Sequence, residues 1–270
     1  MLLYPNAKIN IGLNIISKLD SGYHLIESCF CPISLYDIIE INNSEENKLS
    51  LSGISIDGSI NNNIIYKAIK LINSRDKFNI HLHKNIPIGS GLGGGSSDAS
   101  FILRHLNKFQ LCQNELLEKA KKIGSDCPFF IENNPKYVTG IGDIMNNIEL
   151  DIVNKIIILI NPNEKILTQD AYNNICIKKT EYNIKDILEN ESIDNWKKYI
   201  KNAFESYAIN KINELKKIKT HLYKLGAKYV SLTGSGSCMY GIFEEKDIIK
   251  EDIKYDYYLV RPLIRSDSNR

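Results

Sequence analysis

The sequence predicts an α+β protein built as two domains, and three observations lead there. Strand-like segments cluster at the start of the chain and return near its end, without regular alternation with helices. Helical periodicity fills much of the stretch between them. A polar segment at 146–154 precedes a fresh apolar strand, which divides the chain into an N-terminal part, 1–150, and a C-terminal part, 151–270. With 270 residues, 43% of them apolar, there is material for one large core or two modest ones.

Taken in order, Ala7 to Ile16 (AKINIGLNII) alternates loosely, and 35–41 is apolar and β-branched, with a turn at Asp20-Ser21-Gly22 between them. Polar stretches at 42–48 and 57–63 read as loops. Apolar residues at 64, 65, 68, 69 and 72 have the spacing of one helix face. Residues 78–83 alternate as a strand that runs into a glycine cluster, and helical patterns follow at 98–109 and 114–123. Beyond the junction a strand is expected at 155–160, then helices up to residue 225. Strands at 228–232 and 239–243 flank a second glycine cluster, and the last strand is 257–264.

Bulk properties narrow the classes. The net charge is +2 and the charges are interspersed, so there is no electrostatic footprint for nucleic acid. No run of about 18 apolar residues exists to span a membrane. The start, MLLYPNAKIN, lacks the basic and long apolar regions of a secretion signal, so a cytoplasmic protein is expected. None of the six cysteines forms a zinc-spaced CxxC pair, and buried thiols are the expectation. The oligomeric state is left open.

The segment IPIGSGLGGGSSDAS, Ile86 to Ser100, is the most informative. Five glycines within seven residues remove Cβ atoms, so backbone N–H groups can converge on an anion. The helix that follows, starting near Ser97 or Asp98, would aim its unpaired N–H groups at the same anion. Simple N-capping by Ser96, Ser97 or Asp98 accounts for those residues but not for the glycines. Gly89, Gly91 and Gly94 also form a G-x-G-x-x-G. A dinucleotide fold would then need a second strand about 20 residues later, where a helix is expected instead. No lysine follows the glycines, so the Walker pattern fails, and no serine sits in G-x-S-x-G.

PIGSGLGGGSSDAS resembles the second motif of the GHMP kinases. Within that superfamily the chain is most similar to the kinases that act on a cytidine diphosphate-linked methylerythritol in isoprenoid precursor synthesis. Other blocks agree in order: PNAKINIGLNI from Pro5, DSGYH from Asp20, GSDCPFF from Gly124 and SLTGSGSCMYGIF from Ser231. The likeness spans nearly the whole chain. Departures are small: Ser100 stands for a usual alanine, Cys127 for a usual valine, and Tyr240 for an aromatic that is often Phe. The resemblance implies a two-domain GHMP kinase fold, with a left-handed βαβ crossover in the first domain, a ferredoxin-like second domain and the active site between them. It also implies ATP-dependent phosphorylation of the substrate's 2-hydroxyl, with ATP and Mg²⁺ as cofactors and a small-molecule partner.

Candidate site residues carry two readings each. By resemblance, Pro87, Gly89, Ser90, Gly91, Leu92, Gly93, Gly94, Gly95, Ser96 and Ser97 hold the nucleotide, with Ser96 and Ser97 reaching phosphate oxygens or Mg²⁺. Asp126, ahead of Pro128 and two phenylalanines, either caps the following backbone or reacts; the resemblance implies catalysis. Lys8 in an apolar strand reads as an edge or snorkelling lysine, whereas its counterpart in the family pairs with the aspartate and the acceptor hydroxyl. Asn10 shares Lys8's strand face. Tyr23-His24 is either a hairpin end or, by resemblance, a cytosine reader. Tyr172, four residues after Thr168, matches the second aromatic of that base sandwich. Asn63 and Lys84 read as solvated loop ends, whereas the resemblance implies that they lie near the adenine. His81 and His83 share a strand face but lack a third ligand, so no protein metal site is assigned.

Three rival readings compete: another GHMP-type kinase or diphosphomevalonate decarboxylase, a non-catalytic ligand sensor, and a dinucleotide oxidoreductase. Tyr23-His24 argues against the first, since isoprenoid acids offer no base to stack on. Retention of Lys8 and Asp126 argues against the second.

Overall fold

The computed structural model describes residues 1–72, 76–107, 111–175, 177, 181–248 and 250–264. The chain begins β1 (Leu2–Leu3), β2 (Asn6–Lys18), β3 (His24–Tyr36), β4 (Ile38–Ser44) and β5 (Lys48–Gly53). Then come α1 (Ile64–Ile72), β6 (Lys77–Lys84), α2 (Gly94–Asn107), α3 (Gln113–Ile123) and α4 (Cys127–Glu132). β7 (Lys136–Thr139), β8 (Ile144–Asn147) and β9 (Lys155–Ile160) follow, then α5 (Thr168–Asn173), α6 (Ile184–Asn190) and α7 (Ile193–Tyr199). The described chain closes with α8 (Glu205–Lys211), α9 (Glu214–Lys224), β10 (Tyr229–Leu232), β11 (Met239–Glu244) and β12 (Tyr258–Val260). The architecture is α+β.

Two compact units are assembled from interleaved segments. The first comprises 1–7, 35–88 and 93–133; the second comprises 8–34, 89–92 and 134–270. The glycine loop therefore contributes residues 89–92 to one unit and 93 onward to the other.

In the first unit the sheet order is β1-β4-β6-β5, with β5 parallel to β6 and α1 as the connection between them. A crossover of this kind is what two parallel neighbours require. The helix forms because Ile65, Ala68, Ile69 and Ile72 fall on one face, and that face is buried. It packs with Ala99, Ile102 and Leu103 of α2, Leu116 of α3, and Ile39, Ile80 and Leu82 of the sheet.

The second unit has two sheets. One is ordered β2-β3-β7-β8. The other, β10-β11-β9-β12, is antiparallel throughout, with the fourth strand beside the first and the third between first and second. This is the ferredoxin-like strand order. Helices between β9 and β10 pack on it through Phe204, Ala208, Leu215, Ile218 and Leu222.

The expected elements fall where the periodicity placed them at α1, α3, β6, β9, β10 and β11. β3 starts much earlier than the strand expected at 35, and β5 reaches Gly53 beyond the expected loop. α2 begins at Gly94, inside the glycine run, because Ser97 N–H already donates to the Gly93 carbonyl at 3.0 Å. Residues 108 and 109 of the expected helix lie outside the described residues. Cys112 is exposed, against the expectation of buried thiols, while Cys29, Cys31, Cys127 and Cys238 are buried.

Candidate active site

Within the second unit, the first half of the loop is held by backbone contacts. Lys8 N–H donates to the Leu92 carbonyl at 3.0 Å, Cys238 N–H to Ser90 at 3.2 Å, and the Thr233 hydroxyl to Gly91 at 3.2 Å. Gly91 is glycine for two reasons. Its φ is +81°, and a Cβ there would stand 2.1 Å from the Thr233 carbonyl oxygen. A Cβ on Gly234 would lie 3.1 Å from the Gly91 Cα, so the second glycine cluster closes against the loop.

The other half belongs to the first unit. Gly93 has φ +73°, and α2 then carries Ser96 and Ser97 in its first turn. Ser97 Oγ and Asp98 Oδ1 are buried and have no hydrogen-bond partner among the described residues. Orphaned polar atoms of this kind are costly unless a ligand completes them. An exposed Gly95, a helix N-terminus and an unsatisfied hydroxyl together fit a phosphate group.

Lys84 and Asn63 are not solvated loop ends. Lys84 is 4% exposed and pairs with Asp37 and with Asp98, the latter at 2.9 Å. Asn63 Oδ1 accepts from Ile65 N–H at 3.0 Å, which caps α1. Pro87 is buried ahead of the loop.

Asp126 is half-buried at the N-terminus of α4, with Pro128 in the helix's first turn. Its side chain makes no capping hydrogen bond to that helix. The capping alternative is therefore not what the backbone shows.

β2 is the end strand of its sheet, as the edge reading expects, but Lys8 does not snorkel to solvent. It is 3% exposed in the interior of β2, and its Nζ donates to Asn10 Oδ1 at 2.6 Å while standing 4.5 Å from the centre of the Phe30 ring. Asn10 is fixed in turn. Its amide nitrogen donates to Ser28 Oγ at 3.0 Å, its N–H to Thr233 Oγ1 at 3.1 Å, and its carbonyl accepts from Tyr240 at 2.8 Å. An ammonium held this firmly presents its charge in one direction, as positioning of a reacting group demands.

The rings of His24 and Tyr172 stand 4.8 Å apart at 30°, and Tyr172 meets Phe204 edge-on at 4.9 Å. Thr168 opens α5 one turn before Tyr172 and its hydroxyl lies 3.0 Å from that of Ser235. Tyr23 is 62% exposed. Burial, aided by the Lys18 charge, holds the His24 imidazole below its ordinary value of 6.5.

Four residues were missed by sequence reasoning: Ser28 and Thr233, which fix Asn10, and Asp37 and Asp98, which pair with Lys84. Thr233 adjoins Gly234 in the second glycine cluster, a signal that could have found it. Ser28, in an unbroken buried strand, left none.

Residues 63–133 match the GHMP kinases N terminal domain, and residues 183–258 match the GHMP kinases C terminal domain. The 4-diphosphocytidyl-2-C-methyl-D-erythritol kinase of Azobacteroides pseudotrichonymphae is 45% identical over 252 residues, covering 91% of this chain and 94% of that one. The enzyme of the same name from Bacteroides thetaiotaomicron is 40% identical over 261 residues, covering 93% and 95%. A crystal structure of 4-(cytidine 5'-diphospho)-2C-methyl-D-erythritol kinase superposes with a TM-score of 0.81 at 25% identity, covering 97% of this chain and 99% of the other. A mevalonate kinase structure, at TM-score 0.70 and 16% identity over 98% and 100%, shares the fold. The chain is an ATP-dependent small-molecule kinase and belongs to the GHMP kinases, within them to the 4-diphosphocytidyl-2-C-methyl-D-erythritol kinase family.

Proposed function

We propose that this chain transfers the γ-phosphoryl group of ATP to the 2-hydroxyl of 4-diphosphocytidyl-2-C-methyl-D-erythritol in the non-mevalonate isoprenoid precursor pathway, in the cytoplasm. The observation that carries the choice of substrate is the His24–Tyr172 ring pair, a surface suited to a pyrimidine and of no use to an isoprenoid acid. Tyr23, on the exposed side, supplies a further ring for the base, and Thr168 and Asn10 supply polar contacts.

In this reading the residues from Gly89 to Ser97 cradle the triphosphate, with Pro87 setting the approach of the chain and Asn63 near the adenine. Ser97 Oγ is the side chain that would hold Mg²⁺, which when bound would supply charge neutralisation for the transfer. Asp126 receives the hydroxyl proton or orients the alcohol, and Lys8 polarises the acceptor oxygen. No described helix is long and apolar enough to cross a membrane.

ADP release measured with a panel of alcohols tests the proposal. Turnover with the cytidyl substrate, against little or none with mevalonate or homoserine, is expected. Preference for an alcohol that carries no nucleobase would overturn it.

A further inference from the structure

One ammonium links the chain entering the glycine loop, through Asp37, to the helix that leaves it. Asp37 Oδ1 accepts from the N–H groups of Asn85 at 2.6 Å and Ile86 at 2.8 Å, the residues that lead the chain into the loop. Its other oxygen takes Lys84 Nζ. The same Nζ donates to Asp98 Oδ2 at 2.9 Å, on the helix that leaves the loop. A Cβ on Gly94 would stand 2.8 Å from that Nζ and 2.9 Å from Ile86 Cγ2, so the first residue of α2 rests directly on the pair.

All three charged groups are nearly or fully excluded from water: Asp37 is 0%, Lys84 4% and Asp98 2% exposed. Buried charges persist only where they are paired and hydrogen-bonded, so their geometry is narrowly set. Two of the three ammonium protons are already spent on carboxylates. We infer that Lys84 acts as a positioning residue, a clamp that with Asp37 and Asp98 fixes the start and end of the glycine loop in the shape that receives ATP, without itself touching the nucleotide.

Burial pushes Lys84 toward the neutral form, but the two carboxylates outweigh it and hold the ammonium above its ordinary value. Burial also raises the Asp98 carboxyl well above its usual range, against the opposing pull of Lys84.

The clamp rests on the ATP-loop reading, and the test separates the two. ATP affinity is measured by calorimetry, and KM for each substrate by ADP release, on wild type, Asp98→Asn, Lys84→Met and the double variant. Lys84→Met should raise the ATP KM by roughly ten- to a hundredfold, the scale of an ångström-level misplacement, and leave the cytidyl-substrate KM within about twofold. Asp98→Asn, which keeps the Lys84–Asp37 pair and the side-chain shape, should weaken ATP in the same selective way. The double variant should be no worse than Lys84→Met, since the groups act as one unit. If Lys84→Met fails to fold, Asp98→Asn carries the test alone. Unchanged ATP affinity in Asp98→Asn sinks the clamp, and with Lys84→Met weakened it points instead to direct nucleotide contact by the lysine. A wild type that binds no ATP removes the loop reading, and the clamp with it.

Discussion

The rings of His24 and Tyr172 lie 4.8 Å apart between centres, tilted by 30°, too close to admit a base between them as they stand. In the proposed function the pyrimidine would then lie on an outer face of the pair, with the imidazole edge left for hydrogen bonding. His24→Ala should therefore weaken the cytidyl substrate by roughly 1–3 kcal/mol, the cost of leaving polar groups unpaired, and leave ATP affinity unchanged. Tyr172→Ala should do the same and also loosen the ring contact with Phe204. Equal weakening of both ligands would make His24 a structural residue.

The same histidine predicts a pH dependence. Because its imidazole titrates below 6.5 in the folded chain, the neutral ring prevails at pH 7. Substrate KM should be flat above neutrality and change as pH falls through the lowered value, while ATP KM stays level. The unfolded chain binds this proton more readily, so the contribution to stability is present above 6.5 and is lost as pH falls through the folded value. His24→Asn should flatten the substrate profile; an unaltered profile would remove the imidazole from recognition.

Legibility in the sequence followed the range of the forces involved. Helix α1 was readable because Ile65, Ala68, Ile69 and Ile72 repeat on one face. β3 was not, since every residue from Ile26 to Ile33 is buried and no alternation survives, while Pro32 argues against a strand. The loop announced itself through clustered glycines. Lys84 did not announce its role, because its partners lie 47 and 14 residues away and local composition cannot encode such pairings.

Two glycines divide fold from function. Gly95 is exposed, has no positive φ, and a Cβ on it would meet only Ile64 Cγ2 at 3.9 Å. Gly95→Ala should leave melting temperature unchanged or raise it, since alanine favours a helix by about 1 kcal/mol. ATP affinity should nevertheless fall about tenfold, equivalent to about 1.4 kcal/mol, because the methyl group occupies the phosphate's approach. Gly91→Ala should lower both affinity and stability, since it meets the Thr233 carbonyl. Full ATP affinity in Gly95→Ala would contradict phosphate contact at that backbone.

Thiol reactivity checks the packing independently. Burial raises Cys31 and Cys238 to about 12 and Cys127 to about 11. Iodoacetamide at pH 8 should label Cys112 in the native protein and spare Cys29, Cys31, Cys127 and Cys238 until unfolding. Peptide mapping reads the outcome, and rapid native labelling of Cys127 would mean that the α4 region opens.

Asp126 gives the mechanistic prediction. Its side chain does not cap α4, so Asp126→Asn should remove no helix cap. The amide keeps size and hydrogen-bonding shape but loses charge and basicity. If the carboxylate accepts the hydroxyl proton or aligns the alcohol, turnover should fall by a factor on the order of 10² or more, with ATP affinity nearly unchanged. Lys8→Ala should show a comparable loss in turnover, though it also removes the hydrogen bond to Asn10 Oδ1 and the contact with Phe30, so its melting temperature should drop as well. When two groups act on one proton transfer, the second loss costs little once the first has occurred. The double variant should accordingly be far less impaired than the product of the single losses. Melting temperature and single-turnover rate, measured on the four proteins, separate chemistry from folding. A near-wild-type chemical step in Asp126→Asn would strip the residue of its catalytic role and leave the ATP loop standing on its own evidence.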